Sequence, residues 1–321
     1  MANIALLNRC NLRCPYCFAD SYTGEARQDI DLNTLVSLLD FCASDGKVGI
    51  IGGEPLLHNN ISEIMEILRH DRRFHSITIF TNGIFLEKIA DFLSYPAFSL
   101  LINVNSRRDI GEKSFEKIKS NISLCLEKMD KERVGLGINV YEENQDFSDL
   151  LELISGFGFD KVRVSVVIPQ NKGEGGIPYF MRMKPTLMRL YASLKELGVA
   201  SCYDCNVIPE CVYTDEEKAF LNSLPFKNQL ERLIFVGKRP ICSPVIDLYP
   251  DKTATRCFGM YDGGRVKIDG FETIDDLKNY FFKEIDCRLV NTPSCDGCKD
   301  CYKYKCFGCY GGCLCYKEVS L

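Results

Sequence analysis

Cys10-Asn11-Leu12-Arg13-Cys14-Pro15-Tyr16-Cys17-Phe18 is the stretch on which the reading of this chain turns. Its C-x3-C-x2-C spacing puts three thiols on one short loop, whereas a cubane iron–sulfur cluster is normally held by four. Three protein ligands leave one iron open, and an open position is what separates a catalytic metal site from a closed structural one. The bland reading of the same residues is a zinc knuckle or buried thiols. Zinc would need a fourth ligand near the loop, and the nearest histidine is His58.

With Tyr16 in the aromatic place, the loop resembles the defining Cys-x3-Cys-x-aromatic-Cys motif of the radical S-adenosylmethionine (radical SAM) enzymes. The resemblance implies that Cys10, Cys14 and Cys17 bind a 4Fe-4S cluster whose open iron is chelated by the amino and carboxylate groups of SAM. It further implies reductive cleavage of SAM to a 5′-deoxyadenosyl radical that abstracts hydrogen from a substrate.

Composition narrows the class. A chain of 321 residues exceeds one average domain, and a barrel can use roughly 200–250 residues as one unit, so a large and a small domain are expected, at 1–198 and 199–321. The net charge of -5 gives no basic footprint for nucleic acid and no polybasic patch for a membrane. No apolar stretch reaches the length of a membrane span, and Met1–Leu7 lacks the basic start and cleavage site of a signal peptide. Disulfide frameworks belong to small secreted domains, so the 18 cysteines read as reduced thiols of a cytoplasmic protein.

Up to residue 167 short β-type runs alternate with amphipathic helical ones. Strands are expected at Asn3–Leu7, Val48–Ile51, Ser76–Phe80, Phe98–Val104, Val134–Val140 and Lys161–Val167. Helical spacing covers Leu32–Ala43, Ile61–Arg69, Phe85–Leu93, Ser114–Met129 and Phe147–Gly156. Such alternation argues for right-handed crossovers and a parallel sheet. The expected fold is α/β, a partial (β/α)6 TIM-type barrel with a small cysteine-rich C-terminal auxiliary-cluster domain, its chemistry at the C-terminal ends of the strands. A loop from Pro169 to Pro178 and a helix from Lys184 to Leu197 are expected to close the catalytic domain.

Gly52-Gly53-Glu54-Pro55 follows the second strand and resembles the family's GGEP motif. Glycines let backbone approach a ligand closely, and the resemblance implies that Gly52, Gly53 and Glu54 contact the SAM amino group. Thr81-Asn82-Gly83, after the third strand, resembles the family's Thr-Asn-Gly, which places Asn82 at the SAM floor. Asn103 and Asn105 stand where relatives have Ser-x-Asp-Gly, a departure that keeps hydrogen-bonding groups and loses a carboxylate. Arg108 matches an arginine that pairs with the SAM carboxylate in relatives, a task suited to a planar guanidinium. A solvated loop arginine beside Arg107 is the other reading.

From Val199 onward lie 13 of the 18 cysteines. Cys242, a hairpin pattern over Val245–Tyr249 and Thr253–Cys257, and Cys309-Tyr-Gly-Gly-Cys313 resemble the SPASM or twitch extension, which implies one or two auxiliary 4Fe-4S clusters. Cys242, Cys257 and Cys313 with a fourth thiolate form one candidate set. Cys298, Cys301, Cys309 and a neighbour form the second. Two departures stand out: Cys301 is separated from Cys309 by more residues than in relatives, and an extra Cys202-x2-Cys205-x5-Cys211 precedes the hairpin without an assignable role. Zinc remains the alternative, because tetrahedral thiolate sites accept either metal.

The function expected is that of a radical SAM oxidoreductase acting on a peptide by crosslinking, epimerisation or oxidation. Dehydrogenation of a small molecule is the alternative, and an iron–sulfur or zinc-stabilised regulatory protein the reading from a different class. The partners expected are a reductant such as flavodoxin or ferredoxin and, because the chain starts at its first strand, either a separate leader-peptide-binding protein or a leaderless substrate.

Overall fold

The computed structural model describes residues 1–17, 19–169, 176–203, 206, 208–225, 245–306 and 308–317. Among them are ten strands: β1 (Ala2–Ala5), β2 (Lys47–Ile51), β3 (Ser76–Thr81), β4 (Phe98–Asn103), β5 (Val134–Val140), β6 (Lys161–Val166), β7 (Ala200–Tyr203), β8 (Ile246–Leu248), β9 (Thr253–Thr255) and β10 (Val266–Lys267). Contacts divide the chain into two compact units, each discontinuous in sequence. The first combines Met1–Leu136 with Pro244–Phe281, and the second combines Gly137–Ser243 with Phe282–Ser320.

In the first unit the strands run in the order β10-β9-β8-β1-β2-β3-β4. β1 pairs in parallel with β2 on one side, Ala2 opposite Val48 and Ala5 opposite Ile51, and with β8 on the other, Ala2 opposite Ile246. β2, β3 and β4 continue in parallel, while β8, β9 and β10 are antiparallel. The hairpin thus appears where expected, with Lys252 in the left-handed region at φ 57 in its turn. Its parallel junction with β1 is not visible in local sequence. A buried hydrogen bond from Asn3 Nδ2 to Asp247 Oδ1, 2.8 Å, crosses that junction.

The helices form where capping and apolar spacing agree. Asp31 caps the helix Leu32–Cys42 by accepting from the Thr34 backbone N–H at 2.9 Å. Ile61, Ile64, Met65 and Leu68 line the buried side of Ile61–His70, the i, i+3, i+4, i+7 pattern of an amphipathic helix. Glu112–Lys128 buries Phe115, Ile118, Ile122 and Cys125 in the same way. Cys42 and Cys125 are fully buried, as small hydrophobes on helices. The segment expected as a helix at Phe85–Leu93 is a 3₁₀ helix, Leu86–Phe92, whose buried Leu86, Ile89 and Phe92 recur every third residue, the period of that tighter helix.

In the second unit β5, β6 and β7 are parallel neighbours from Gly137 onward. β7 adds a seventh strand beyond the six expected. The helix expected from Lys184 starts earlier and spans Ile177–Glu196. Pro178 sits in its first turn, where its fixed φ favours the helix and its missing N–H costs nothing. Part of the Pro169–Pro178 segment is therefore helical, and residues 170–175 lie outside the described residues. Among the described residues no helix is long and apolar enough to cross a membrane.

Candidate functional site

Pairing between the first two strands continues past Ala5 into the cysteine loop. The N–H of Leu6 donates to Ile51 O at 2.9 Å, that of Gly53 to Leu7 O at 2.8 Å and that of Glu54 to Arg9 O at 2.8 Å. The turn Gly52–Glu54 therefore lies along residues 7–9, directly before Cys10. A Cβ on Gly52 would fall 2.7 Å from Leu7 O, and one on Gly53 would fall 2.2 Å from Arg9 O and 3.0 Å from Cys10 N. These are backbone atoms that cannot rotate aside, so closeness of approach requires glycine at both positions.

Glu54 is buried, and its carboxylate accepts from the Leu56 N–H at 3.2 Å, the Thr81 hydroxyl at 2.7 Å and the Asn82 N–H at 2.8 Å. It binds the end of β2 to the end of β3. Asn82 in turn donates from Nδ2 to Asn11 Oδ1, 2.9 Å, inside the cysteine loop. Gly83, at φ +82, turns the chain away from β3. On the far side of the loop the Tyr16 hydroxyl donates to Asn105 Oδ1, while Asn103 is half-buried at the end of β4. Arg108 pairs with the carboxylate of Asp109 at 3.2 Å and keeps an exposed side chain. Cys10, Cys14, Cys17, Asn82, Asn105 and the Gly52–Glu54 turn are thus brought to the C-terminal ends of β1 to β4.

Three supports had no clear signal in the sequence. Asn11 is one of the unspecified positions of C-x3-C. Asn8 is buried and donates to Ala26 O at 2.8 Å while accepting from the Gln28 N–H at 2.9 Å. Arg9 grips Asp29 with two hydrogen bonds, 3.1 and 2.9 Å. Burial alone would raise the Asp29 carboxyl, but Arg9 and Arg27 outweigh it and hold it below the usual range. These bonds fix the chain that leaves the loop.

Burial pushes the Cys14 thiol up to about 12, the charges of Cys10 and Cys17 add to the rise, and a hydrogen bond from Tyr16 opposes it. The three sulfurs therefore lie within electrostatic reach of one another. The Leu12 N–H donates to Cys10 Sγ at 3.4 Å, the kind of contact that favours a thiolate. Three thiols on one loop with an amide donor fit an iron–sulfur cluster, and loading it would release their protons. Among the described residues no group of three His, Cys, Asp or Glu could hold a single metal ion. Cubane thiolates bind separate irons and need not converge on one point.

Glu54 gives a pH-dependent prediction. Burial raises its carboxyl from the ordinary 4.5 to about 7, against the lowering effect of its three hydrogen-bond donors. The native state thus keeps this proton where the unfolded chain has released it, so the contribution of Glu54 to stability falls as pH rises from about 4.5 to about 7. Glu54→Gln removes that dependence and turns an acceptor into a donor facing other donors. The variant is expected to be about 1–3 kcal/mol less stable than wild type near pH 5.5, with the deficit narrowing toward pH 8. Urea unfolding of the metal-free protein at both pH values measures it, and a constant deficit would contradict the account.

Of the auxiliary candidates, Cys257 belongs to the first unit and Cys298, Cys301, Cys309 and Cys313 to the second. Cys242 and Cys205 lie outside the described residues. In the second unit Cys295 Sγ is 3.5 Å from Cys298 Sγ, and Cys313 Sγ is 3.2 Å from Cys315 Sγ. The Gly311 N–H donates to Cys309 Sγ at 3.3 Å. Gly311 and Gly312 have φ of 75 and 100, which explains the two glycines of Cys309-Tyr-Gly-Gly-Cys313.

Comparison with known proteins agrees with this geometry. Residues 4–154 match the radical SAM superfamily. The chain is 26% identical over 183 residues, 56% of its length and 48% of the other's, to a protein named GTP 3′,8-cyclase from Lactiplantibacillus plantarum. It spans about half the length of the curated relatives it matches. Among solved structures, native anSMEcpe with bound AdoMet matches at a TM-score of 0.68 and 18% identity, covering 100% of this chain and 92% of that one. Streptococcus suis SuiB bound to precursor peptide SuiA matches at 0.62 and 17% identity, covering 99% and 73%. At such identities these two likenesses show a shared fold.

Proposed function

We propose, from the match of residues 4–154 to the radical SAM superfamily, that this protein cleaves SAM reductively and modifies a peptide. The observation that carries the reading is the backbone clasp of Gly52 and Gly53 around Leu7–Cys10, which holds a three-thiol loop at the strand ends. Cys10, Cys14 and Cys17 would hold the cluster, with Tyr16 bonded to Asn105 beside them. A cluster held there would supply one electron, drawn from the reductant, for reductive cleavage of bound SAM. The Gly52–Glu54 turn and Asn82 position the edge of SAM, Asn103 and Asn105 offer polar groups beside it, and Arg108 meets its carboxylate.

The catalytic part is assigned to 1–198 and the auxiliary part to 199–321. One or two auxiliary clusters are assigned to this part, with Cys298, Cys301 and Cys309 and another thiolate as one candidate set. Electrons come from a reductant such as flavodoxin or ferredoxin, in the cytoplasm. The peptide reading is supported by fold neighbours that span nearly this whole chain, one of them described as bound to a precursor peptide.

A second reading, a small-molecule substrate, draws on the relatives named GTP 3′,8-cyclase, which match over about half of this chain. Anaerobically reconstituted protein with dithionite is expected to convert SAM to 5′-deoxyadenosine. Deuterium passing into that product from a labelled peptide supports the first reading, and passage from labelled GTP alone supports the second. Intact SAM with a fully loaded cluster defeats both.

A further inference from the structure

His58, the nearest histidine to the cysteine loop in the sequence, has both ring nitrogens committed to backbone, which removes it as a metal ligand. Its side chain is buried, Nδ1 accepts from the Asn60 N–H at 3.1 Å, and Nε2 lies 2.9 Å from Ile30 O. A carbonyl oxygen can only accept, so Nε2 carries the ring proton and donates it to Ile30, while Nδ1 keeps the lone pair that the Asn60 N–H needs. Two backbone partners thus fix one tautomer.

The bond to Ile30 closes a frame of three segments around the base of the cysteine loop. The segment that enters the loop pairs with the end of β2 and the turn after it, through Leu6 to Ile51 and through Gly53 and Glu54 to Leu7 and Arg9. It also pairs with the chain that leaves the loop. The Ile30 N–H donates to Leu6 O at 2.8 Å, the Asn8 N–H to Gln28 O at 3.1 Å, and Leu7 forms an antiparallel bridge with Asp29. His58 follows the 3₁₀ turn Pro55–Leu57 that Glu54 caps, so its bond to Ile30 joins the two partners of the entering segment to each other.

We propose that His58 is a positioning residue for the first cluster site, holding the exit of the cysteine loop through the bond from Nε2 to Ile30 O. The inference rests on the reading of that loop as the SAM-cluster site and adds a residue outside its motifs. The glycine turn fixes where the loop begins and His58 fixes where it returns, so Cys10, Cys14 and Cys17 stand on a loop tied at both ends. Supports that orient ligands without touching the metal set its affinity nearly as strongly as the ligands do.

His58→Gln, His58→Asn and His58→Ala separate the two bonds. Glutamine puts an amide nitrogen near the Nε2 position and keeps the donor to Ile30, whereas asparagine puts an amide oxygen near Nδ1 and keeps only the acceptor for Asn60. In the metal-free full chain, iodoacetamide labelling read by peptide mass spectrometry reports the order of the loop without any cluster. Labelling of Cys14 and Cys17 is expected to be about three- to tenfold faster in the Asn and Ala variants, the range that one lost hydrogen bond gives local opening, and unchanged in Gln. Cys42 and Cys125, buried on helices, are the internal controls and should stay slow. After anaerobic reconstitution the Asn and Ala variants are expected to need about tenfold more iron to fill the first site, followed by the EPR signal that changes when SAM is added. Wild-type labelling and iron filling in those two variants overturn the proposal, as does a Gln variant as loose as Asn. Labelling of Cys42 and Cys125 that rises in step with the loop overturns it too, since it marks a general loss of stability. If the Ala variant does not fold, Gln against Asn decides. A loaded wild-type protein that leaves SAM intact counts against the radical SAM reading, and the labelling result still decides the role of His58.

Discussion

Replacing Cys10, Cys14 and Cys17 together by alanine is expected to reduce 5′-deoxyadenosine formation below detection while iron remains bound elsewhere in the chain. The three thiols stand on one loop, directly after the backbone hydrogen bonds that Gly53 and Glu54 donate to Leu7 and Arg9. About four irons per chain should be lost and the rest retained, because the remaining cysteines lie in other segments. Iron and sulfide analysis with EPR, alongside product detection, measures both. A triple variant that still cleaves SAM contradicts the site. One that retains zinc and no iron contradicts the auxiliary clusters.

Gly53→Ala carries the next largest effect, although it removes no ligand. Its methyl would enter to 2.2 Å from Arg9 O and 2.5 Å from Arg9 C, backbone atoms of the segment that leads into Cys10. The two segments must separate, which breaks the Gly53–Leu7 and Glu54–Arg9 hydrogen bonds. A destabilisation of about 1–3 kcal/mol is expected from the overpacking. Displacement of the loop should also lower iron occupancy of the first site and SAM cleavage by about 10–100-fold, as loss of a metal-site support does. Gly156→Ala, in a helix with nothing within 4 Å of the added methyl, is the control expected to leave both unchanged. Equal behaviour of the two variants in iron content would show that the clasp does not support the loop.

Local signals in the sequence carry much of this architecture. Val134–Val140 is a strand with the expected bounds, and Ile61, Ile64, Met65 and Leu68 announce their helix by spacing alone. What escapes is set by distant partners. β8 is three residues long and joins β1 across more than 240 positions, and nothing local specifies that register. The start of Ile177–Glu196 is masked by Pro178, which signals a loop and a first helical turn equally well. Within the site, the cysteines and glycines stand out because their spacing is itself the chemistry. Asn8, Asn11 and Asp29 do not, because a polar residue that braces a loop has the same composition as one that faces solvent. Glu54 shows a further limit, since its motif suggests a ligand contact while its carboxylate also joins two strand ends.

The position of β1 between β2 and β8 also fixes an order of assembly. The cysteine loop grows directly out of β1, whose second neighbour is encoded some 240 residues later. During synthesis β1 stays open on that side, with Asn3 lacking Asp247, until the hairpin has emerged. Such sequence-distant pairing is slow because the long loop must close before contacts reward it. The strand that presents the first cluster loop is therefore among the last in its unit to be completed, and apo chains still emerging from the ribosome carry three free thiols on an unfinished edge.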